Sequence, residues 1–367
     1  MHCASLGEFE QGRPLLEALK QSHPQVPVVL TFFSPSGYEV MKDYKGTDHI
    51  FYLPMDSPVN AKRFIEAINP SLVLWVKYEY WFYYLSALKH RNIPVLLVSG
   101  IFREGQPFFR WYGSVWRRML NYFSHFFVQN ETSASLLSSI GIKDNVSISG
   151  DTRFDRVIAI ANNFTPVPHV EAFCGTNPVI VAGSTWEEDE VELLHYVRSH
   201  PEIKFIIAPH EVDQENLDDV KKEFPNSIFY SSLASATSNQ LLTANVLIID
   251  NVGMLSRLYK YAAITYVGGG FGADGVHNVL EPAVYAKPVV FGPVYEKYDE
   301  AIGLVEAGGA LVAGGPLQLE DIFGKLFADM VACKMTGEVA GNYVRQKAGA
   351  SAAIIDYIQE KRLLTSW

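Results

Sequence analysis

The sequence predicts an α/β fold made of two doubly wound, Rossmann-like parallel-sheet halves, and three observations carry that expectation. Short β-rich runs alternate with longer amphipathic stretches along nearly the whole chain, the pattern of repeated βα units. The β-rich runs are apolar at successive positions rather than alternate ones, as strands covered by helices on both faces must be. A length of 367 residues, at roughly 150 per domain, favours two domains over one or four.

In the first half, strands are expected at 26–33, 49–53, 72–76, 94–99, 126–129 and 146–149, with helices at 9–21, 36–42, 59–67, 81–89 and 131–140. At 161–169 the composition shifts to Asn, Pro and small polar residues, which reads as a linker. A second series follows, with strands at 178–182, 204–208, 227–230, 245–249, 264–267, 288–291 and 310–312, and helices at 187–198, 252–261, 279–285 and 296–307. Residues 341–364 form a last helical pattern with no strand after it. The expected organisation is therefore 1–164, 165–340, and a C-terminal helix, 341–367, returning to the first domain. Sheets of this kind bind ligands beyond the C-terminal ends of their strands, so two of them facing one another place sites in a cleft.

Composition narrows the function. Hydrophobic residues at 48% and charged residues at 19% exclude a disordered or fibrous chain. A net charge of −10 excludes a general nucleic-acid binder, which needs a basic surface to neutralise phosphates. Cys3, Cys174 and Cys333 are widely spaced, form no CxxC pair or metal spacing, and read as buried thiols in a reducing compartment. The most apolar stretch, 72–85, is interrupted by Lys77 and Glu79, so no segment reads as a transmembrane helix or signal peptide. The charge is uneven, however. Residues 102–127 hold ten aromatics, Arg103, Arg110, Arg117 and Arg118, and a single acid, Glu104. Rings mixed with arginines suit the headgroup level of an anionic membrane; a core-packing helix with solvated arginines has the same composition.

The strongest local signal is a glycine-rich run, Gly268-Gly269-Gly270 and on through Gly272 and Gly275 to Asn278 and Glu281, that follows a strand and leads into a helix expected to start at Asn278. Glycines let backbone N–H groups approach a phosphate, and a helix N-terminus favours an anion by ~0.3–1 kcal/mol. No Gly-Lys-Ser/Thr follows, so it is not a Walker A loop. Glu281 can accept both hydroxyls of a ribose, or can complete a capping box with Asn278. At the N-terminus, residues 1–8 place Glu8 where a short strand meets a helix, suited to take a proton from an attacking hydroxyl or to complement the helix dipole. Glu79 ends a strand among aromatics, where it can bind substrate hydroxyls or pair with a cation. Ser184 and Thr185 repeat the strand–turn–helix layout and fit an anion site or a cap, while His210, after Pro209, fits a site or a structural role.

In order along the chain, Ser5-Leu-Gly-Glu8, Ser34-Pro-Ser-Gly37, Tyr52-Leu-Pro-Met-Asp56, Glu79 with Trp81, Gly150-Asp-Thr-Arg-Phe-Asp155, Gly183-Ser-Thr185 and the block from Gly268 to Pro282 resemble the 3-deoxy-D-manno-octulosonic-acid (Kdo) transferase family of lipopolysaccharide biosynthesis. The resemblance spans nearly the whole chain and rests on seven blocks in the right order. It implies a GT-B fold, two Rossmann-like domains facing a central cleft. It further implies inverting transfer of Kdo from CMP-Kdo to a lipid A precursor, without a cofactor or a nucleotide-bound metal, at the cytoplasmic face of the bacterial inner membrane. By the resemblance Glu8 is the general base, and Glu79, Ser34 and Arg103 belong to the acceptor side. Donor binding falls to Ser184, Thr185, Pro209, His210, Val252, Gly253, Met254, Gly268, Gly269, Gly270, His277, Asn278, Val279, Leu280 and Glu281.

The sequence departs from that family's pattern where a Pro-Arg-His block is usual: here Ala208-Pro209-His210 lacks the arginine. Ile101 and Gly105 also stand where arginines are common. Members usually carry an N-terminal membrane anchor ahead of the Ser-x-Gly-Glu block, which begins here at Ser5, so an anchor ahead of this chain is expected. The competing expectations are a uridine-nucleotide enzyme of the same fold, transferase or epimerase, and a non-catalytic membrane-associated binding protein.

Overall fold

A computed structural model describes residues 1–77 and 79–364 and divides the chain into two compact units, Met1–Arg156 with Lys347–Trp367, and Val157–Gln346. Tyr78, next to Glu79, and the last three residues of the expected C-terminal helix lie outside the described residues.

The first unit contains strands β1 (Val29–Phe32), β2 (His49–Tyr52), β3 (Val73–Val76), β4 (Val95–Gly100), β5 (His125–Val128) and β6 (Val146–Ile148). All pairs are parallel, in the orders β1-β2 and β3-β4-β5-β6. His2 bridges Thr31 of β1 and Trp75 of β3, so the first residues of the chain form the middle of the layer. Strand β1 is shorter than the run that suggested it, because Pro27 has no N–H to give a ladder. The apolar runs are explained by cores on both faces. Val95, Leu97 and Phe126 enter one cluster with Trp75 and Phe102, while Leu96, Val98 and Phe127 enter the other with Phe9 and Leu30.

Ser5 caps the helix Leu6–Ser22, which starts earlier than periodicity suggested because the hydroxyl accepts the Glu8 N–H. The helix Ala350–Glu360 packs Ile354 and Ile358 into the same cluster as Phe9 and Leu16. Asp155 fixes its start by accepting the N–H groups of Gly349 at 2.6 Å and Ser351 at 2.7 Å. The long helical pattern expected at 341–364 is thus two helices, Met330–Lys347 and Ala350–Glu360, broken at Gly349 with φ 116°.

The second unit contains β7 (Val179–Thr185), β8 (Lys204–Pro209), β9 (Ser227–Phe229), β10 (Val246–Ile248), β11 (Ile264–Val267), β12 (Val289–Phe291) and β13 (Ala310–Val312). They form one parallel sheet in the order β13-β12-β11-β7-β8-β10-β9. The α/β class and parallel sheets are those read from the sequence. The helices Thr152–Asn162 and Pro316–Ala328 were not expected; the first ends where Asn and Pro accumulate. The helix expected at 279–285 is a single turn, Leu280–Ala283, since the Asn278 side chain accepts the Leu280 N–H and holds the preceding residues in a turn. Similarly, 252–261 shrinks to Leu255–Leu258 and a 3₁₀ turn, Tyr259–Tyr261. All three cysteines are free and buried. Among the described residues, no helix is long and apolar enough to cross a membrane.

Candidate functional site

In the first unit, residues 1–4 lie between β1 and β3, and beyond their C-terminal ends the loops diverge, which is where open α/β sheets bind ligands. The turn after residue 4 carries Glu8, whose carboxylate accepts the Ala4 N–H while the Ser5 hydroxyl accepts the Glu8 N–H at 3.5 Å. The Ala4 carbonyl in turn accepts the N–H groups of Phe33 at 3.1 Å and Ser34 at 2.7 Å, tying the end of β1 to that turn. Ser34 also caps the helix Pro35–Met41. After β3, Lys77 has a left-handed φ of 60°, strain of the kind that concentrates at functional sites. The Glu79 carboxylate accepts the Trp81 indole N–H, and its backbone carbonyl accepts the Trp75 indole N–H at 2.5 Å. Trp81 meets Phe33 edge to face, with ring centroids 4.6 Å apart.

Burial pushes the Glu8 carboxyl up from its ordinary value; the Ala4 N–H opposes this, the charge of Glu79 adds to it, and Lys77 and the Ser5 N–H bond oppose it. The structure thus brings Glu8, Ser34 and Glu79 into one neighbourhood. Arg103 stands apart from that network: it is exposed, and its backbone N–H donates to Gln106 at 3.1 Å. The aromatic stretch divides. Phe102, Phe108, Phe123 and Phe126 are core residues, whereas Trp111 is 92% exposed, with Tyr112, Val115 and Trp116 exposed beside it.

In the second unit, β7 lies between β8 and β11, the equivalent switch point. Ser184 near the end of β7 has a left-handed φ of 53°. A hollow of about 280 Å³ here is lined by Ser184, Gly253, His277, Asn278 and Glu281 of the expected residues. It is completed by Leu255, Ser256 and Tyr259, which sequence reasoning missed. Tyr259 is buried, and a Cβ on Gly183 would lie 2.1 Å from its hydroxyl, so the two residues fit together only because one is glycine. The Asn278 side-chain amide donates to Glu281 at 3.1 Å.

The remaining expected residues do not line this hollow. The Gly268 N–H donates to the Gly183 carbonyl at 2.9 Å and the Gly269 N–H to Asp189 at 2.7 Å, so these two amides are committed within the protein rather than presented to an anion. Gly270 packs its Cα against Gly292, where a Cβ would meet backbone at 2.5 Å. Thr185 is buried, with its hydroxyl donating to Glu190 at 2.7 Å; burial pushes the Glu190 carboxyl up to about 7. Val279, Leu280 and Met254 are buried, whereas Val252 is 84% exposed. Pro209 lies opposite Thr185 in the β7–β8 register. The anion-binding helix N-terminus expected at Asn278 is absent, because only one turn of helix follows.

His210 and His277 are joined by a residue that sequence reasoning left out. The rings of Trp186 and His210 stack at 4.5 Å, as do those of His210 and His277, and the Trp186 indole donates to His277 Nε2 at 2.8 Å. Burial, then His210, hold the His277 imidazole down to about 4, so it is a neutral acceptor at pH 7. No group of three or more His, Cys, Asp or Glu side chains that could hold a metal ion occurs among the described residues.

Residues 1–156 match the family model described as 3-deoxy-D-manno-octulosonic-acid transferase (kdotransferase). The chain is 26% identical to the 3-deoxy-D-manno-octulosonic acid transferase of Haemophilus influenzae, covering 98% of this chain and 86% of that protein. It is 27% identical to the enzyme of the same name from Aquifex aeolicus, covering 84% and 80%. The UDP-GlcNAc 2-epimerase of Neisseria meningitidis superposes with a TM-score of 0.69 over 98% of both chains at 16% identity, a likeness of fold, the GT-B fold.

Proposed function

For a chain whose residues 1–156 match the 3-deoxy-D-manno-octulosonic-acid transferase (kdotransferase) family model, we propose an inverting glycosyltransferase that moves Kdo from CMP-Kdo to a lipid A precursor in lipopolysaccharide biosynthesis. The observation that carries this is Glu8: a carboxylate at the sheet's switch point, held above its ordinary pKa by burial and by Glu79. Glu8 takes the proton of a glucosamine hydroxyl on the acceptor. That oxygen attacks the anomeric carbon of Kdo from the face opposite the nucleotide. The bond from that carbon to the phosphate oxygen breaks, and CMP leaves with the electron pair. Glu79 and Ser34 orient the acceptor. Glu281 receives the ribose hydroxyls, and Ser184 with the His277–Asn278 edge meets the phosphate, in place of the glycine amides and the family arginine.

The deciding assay supplies labelled CMP-Kdo and a tetraacylated lipid A precursor. Labelled lipid product is expected; saturated donor binding without product would favour a non-catalytic binding protein, and UDP bound in preference to CMP would favour a uridine-nucleotide enzyme. The pH profile provides a second check. The base acts when deprotonated, and burial raises its pKa, so kcat/KM should fall by roughly tenfold per pH unit on the acid side, beginning above the ordinary glutamate range of about 4.3. An acid limb within the ordinary range would remove the raised carboxyl from the mechanism.

The acceptor is a lipid, and the exposed Trp111, Tyr112, Val115 and Trp116, with Arg110 and Arg118 in the same segment, form an edge suited to an anionic membrane at the cytoplasmic face of the inner membrane. Replacing Trp111 and Trp116 together by Ala should weaken sedimentation with vesicles containing anionic lipid by about tenfold, while leaving turnover on detergent-dispersed acceptor within about twofold. Unchanged vesicle binding would assign these rings another role.

A further inference from the structure

Asp189 is wholly buried, and no ion pair to it occurs among the described residues. Taking a carboxylate out of water without a cation costs several kcal/mol unless hydrogen bonds replace its hydration. Three donors do so here: the Trp186 N–H at 3.0 Å, the Gly269 N–H at 2.7 Å and the Tyr266 hydroxyl at 2.7 Å. Burial raises its pKa and these donors, Gly269 foremost, oppose the rise.

A helix N-cap alone would not require burial, because an exposed Asp at the third helical position satisfies the same Trp186 N–H. What the buried position adds is a link between two loops. One oxygen, Oδ2, accepts from both Trp186, in the turn after β7, and Gly269, in the glycine-rich loop after β11. From Trp186 the indole reaches His277, and the His277 N–H returns to the Gly268 carbonyl at 3.0 Å, which closes a ring of contacts around the carboxylate. Ser184 is next to one end of that ring, and Asn278 to the other.

We propose that Asp189 is a positioning residue for donor recognition: by holding the Trp186 and Gly269 amides on one carboxylate oxygen it sets the glycine-rich loop against the β7 turn, and so places Ser184, His277 and Asn278 at the nucleotide. This rests on the donor reading given above. The carboxylate touches no substrate; it acts through the two loops.

The test compares Asp189→Asn with Tyr266→Phe in the full chain, with CMP as the probe in titration calorimetry and CMP-Kdo in steady-state kinetics. A neutral amide oxygen accepts the two loop N–H groups more weakly than the carboxylate oxygen does, and the new N–H₂ has only the Tyr266 oxygen to donate to, so the CMP Kd and the KM for CMP-Kdo should rise about tenfold or more, with the acceptor KM within about twofold of wild type. Phe removes only the bond to Oδ1; it should lower the melting temperature yet keep CMP affinity within about twofold. Should Asp189→Asn fail to fold, Trp186→Phe breaks the next link, to His277, and is expected to weaken CMP about fivefold. Unchanged CMP affinity in Asp189→Asn, or in Trp186→Phe where that variant stands in, overturns the proposal. Equal weakening by Tyr266→Phe overturns it too, since a general loss of stability would then explain both. If the wild-type chain binds UDP rather than CMP, the donor reading fails, and the same ratios measured with UDP still decide the role of Asp189.

Discussion

Glu8→Gln is expected to lower Kdo transfer by about 10²–10⁴-fold while CMP affinity stays within about twofold. The substitution separates two functions that the same side chain performs. As a cap, Glu8 accepts the Ala4 N–H, and the glutamine carbonyl can accept it equally. As a base, it must take a proton, and an amide cannot. Thermal stability should therefore hold, whereas Glu8→Ala would also lose the cap, at a cost of about 1 kcal/mol. The measurements are turnover of labelled CMP-Kdo with a lipid A precursor, calorimetric titration of CMP, and a melting curve. Residual turnover within tenfold of wild type would assign the proton to another group, with Glu79 the nearest candidate.

Gly268→Ala should severely damage donor binding in the second unit. A Cβ there would lie 2.2 Å from the Ser184 carbonyl oxygen and 2.7 Å from the Thr185 Cα, both backbone atoms of the β7 turn. No rotamer relieves a contact with main chain, so loop and turn must separate. Overpacking of this kind costs ~3 kcal/mol, equivalent to at least a hundredfold loss of donor affinity if the separation falls on the site. Gly272→Ala provides the control, since its Cβ would come no closer than 3.5 Å to the Gly269 carbonyl oxygen. CMP titration of the two variants should separate them clearly; equal affinities would mean that the loop can shift without moving Ser184.

The expectations that succeeded and those that did not differ in the range of the information they needed. The run 95–98 is apolar at every position, and the structure packs its alternate members on opposite faces. That property is written locally, so the class of sheet could be read from it. Helix ends were less legible, because capping depends on individual side chains: Ser5 moved one start earlier, and the Asn278 turn reduced another helix to a single turn. The glycine-rich block was recognisable, but its use was not. Its glycines looked like amides for a phosphate, whereas two of those amides are spent on Gly183 and Asp189. Trp186 and Tyr259 carried no signal of their own, since an aromatic residue after a strand or in a short helix is ordinarily core.

By itself, the sequence determined the α/β class, the parallel sheets, and the ordered blocks that resemble the Kdo transferase family, because each depends on residue type at short spacing. Tertiary structure alone decided which distant groups meet. It buried the Glu8 carboxyl and set Glu79 near it, both of which raise it, put His2 between β1 and β3, and stacked Trp186, His210 and His277. Electrostatics and hydrogen bonding act over a few ångströms of space regardless of distance along the chain, so burial and partners appear only once the strands have been laid side by side.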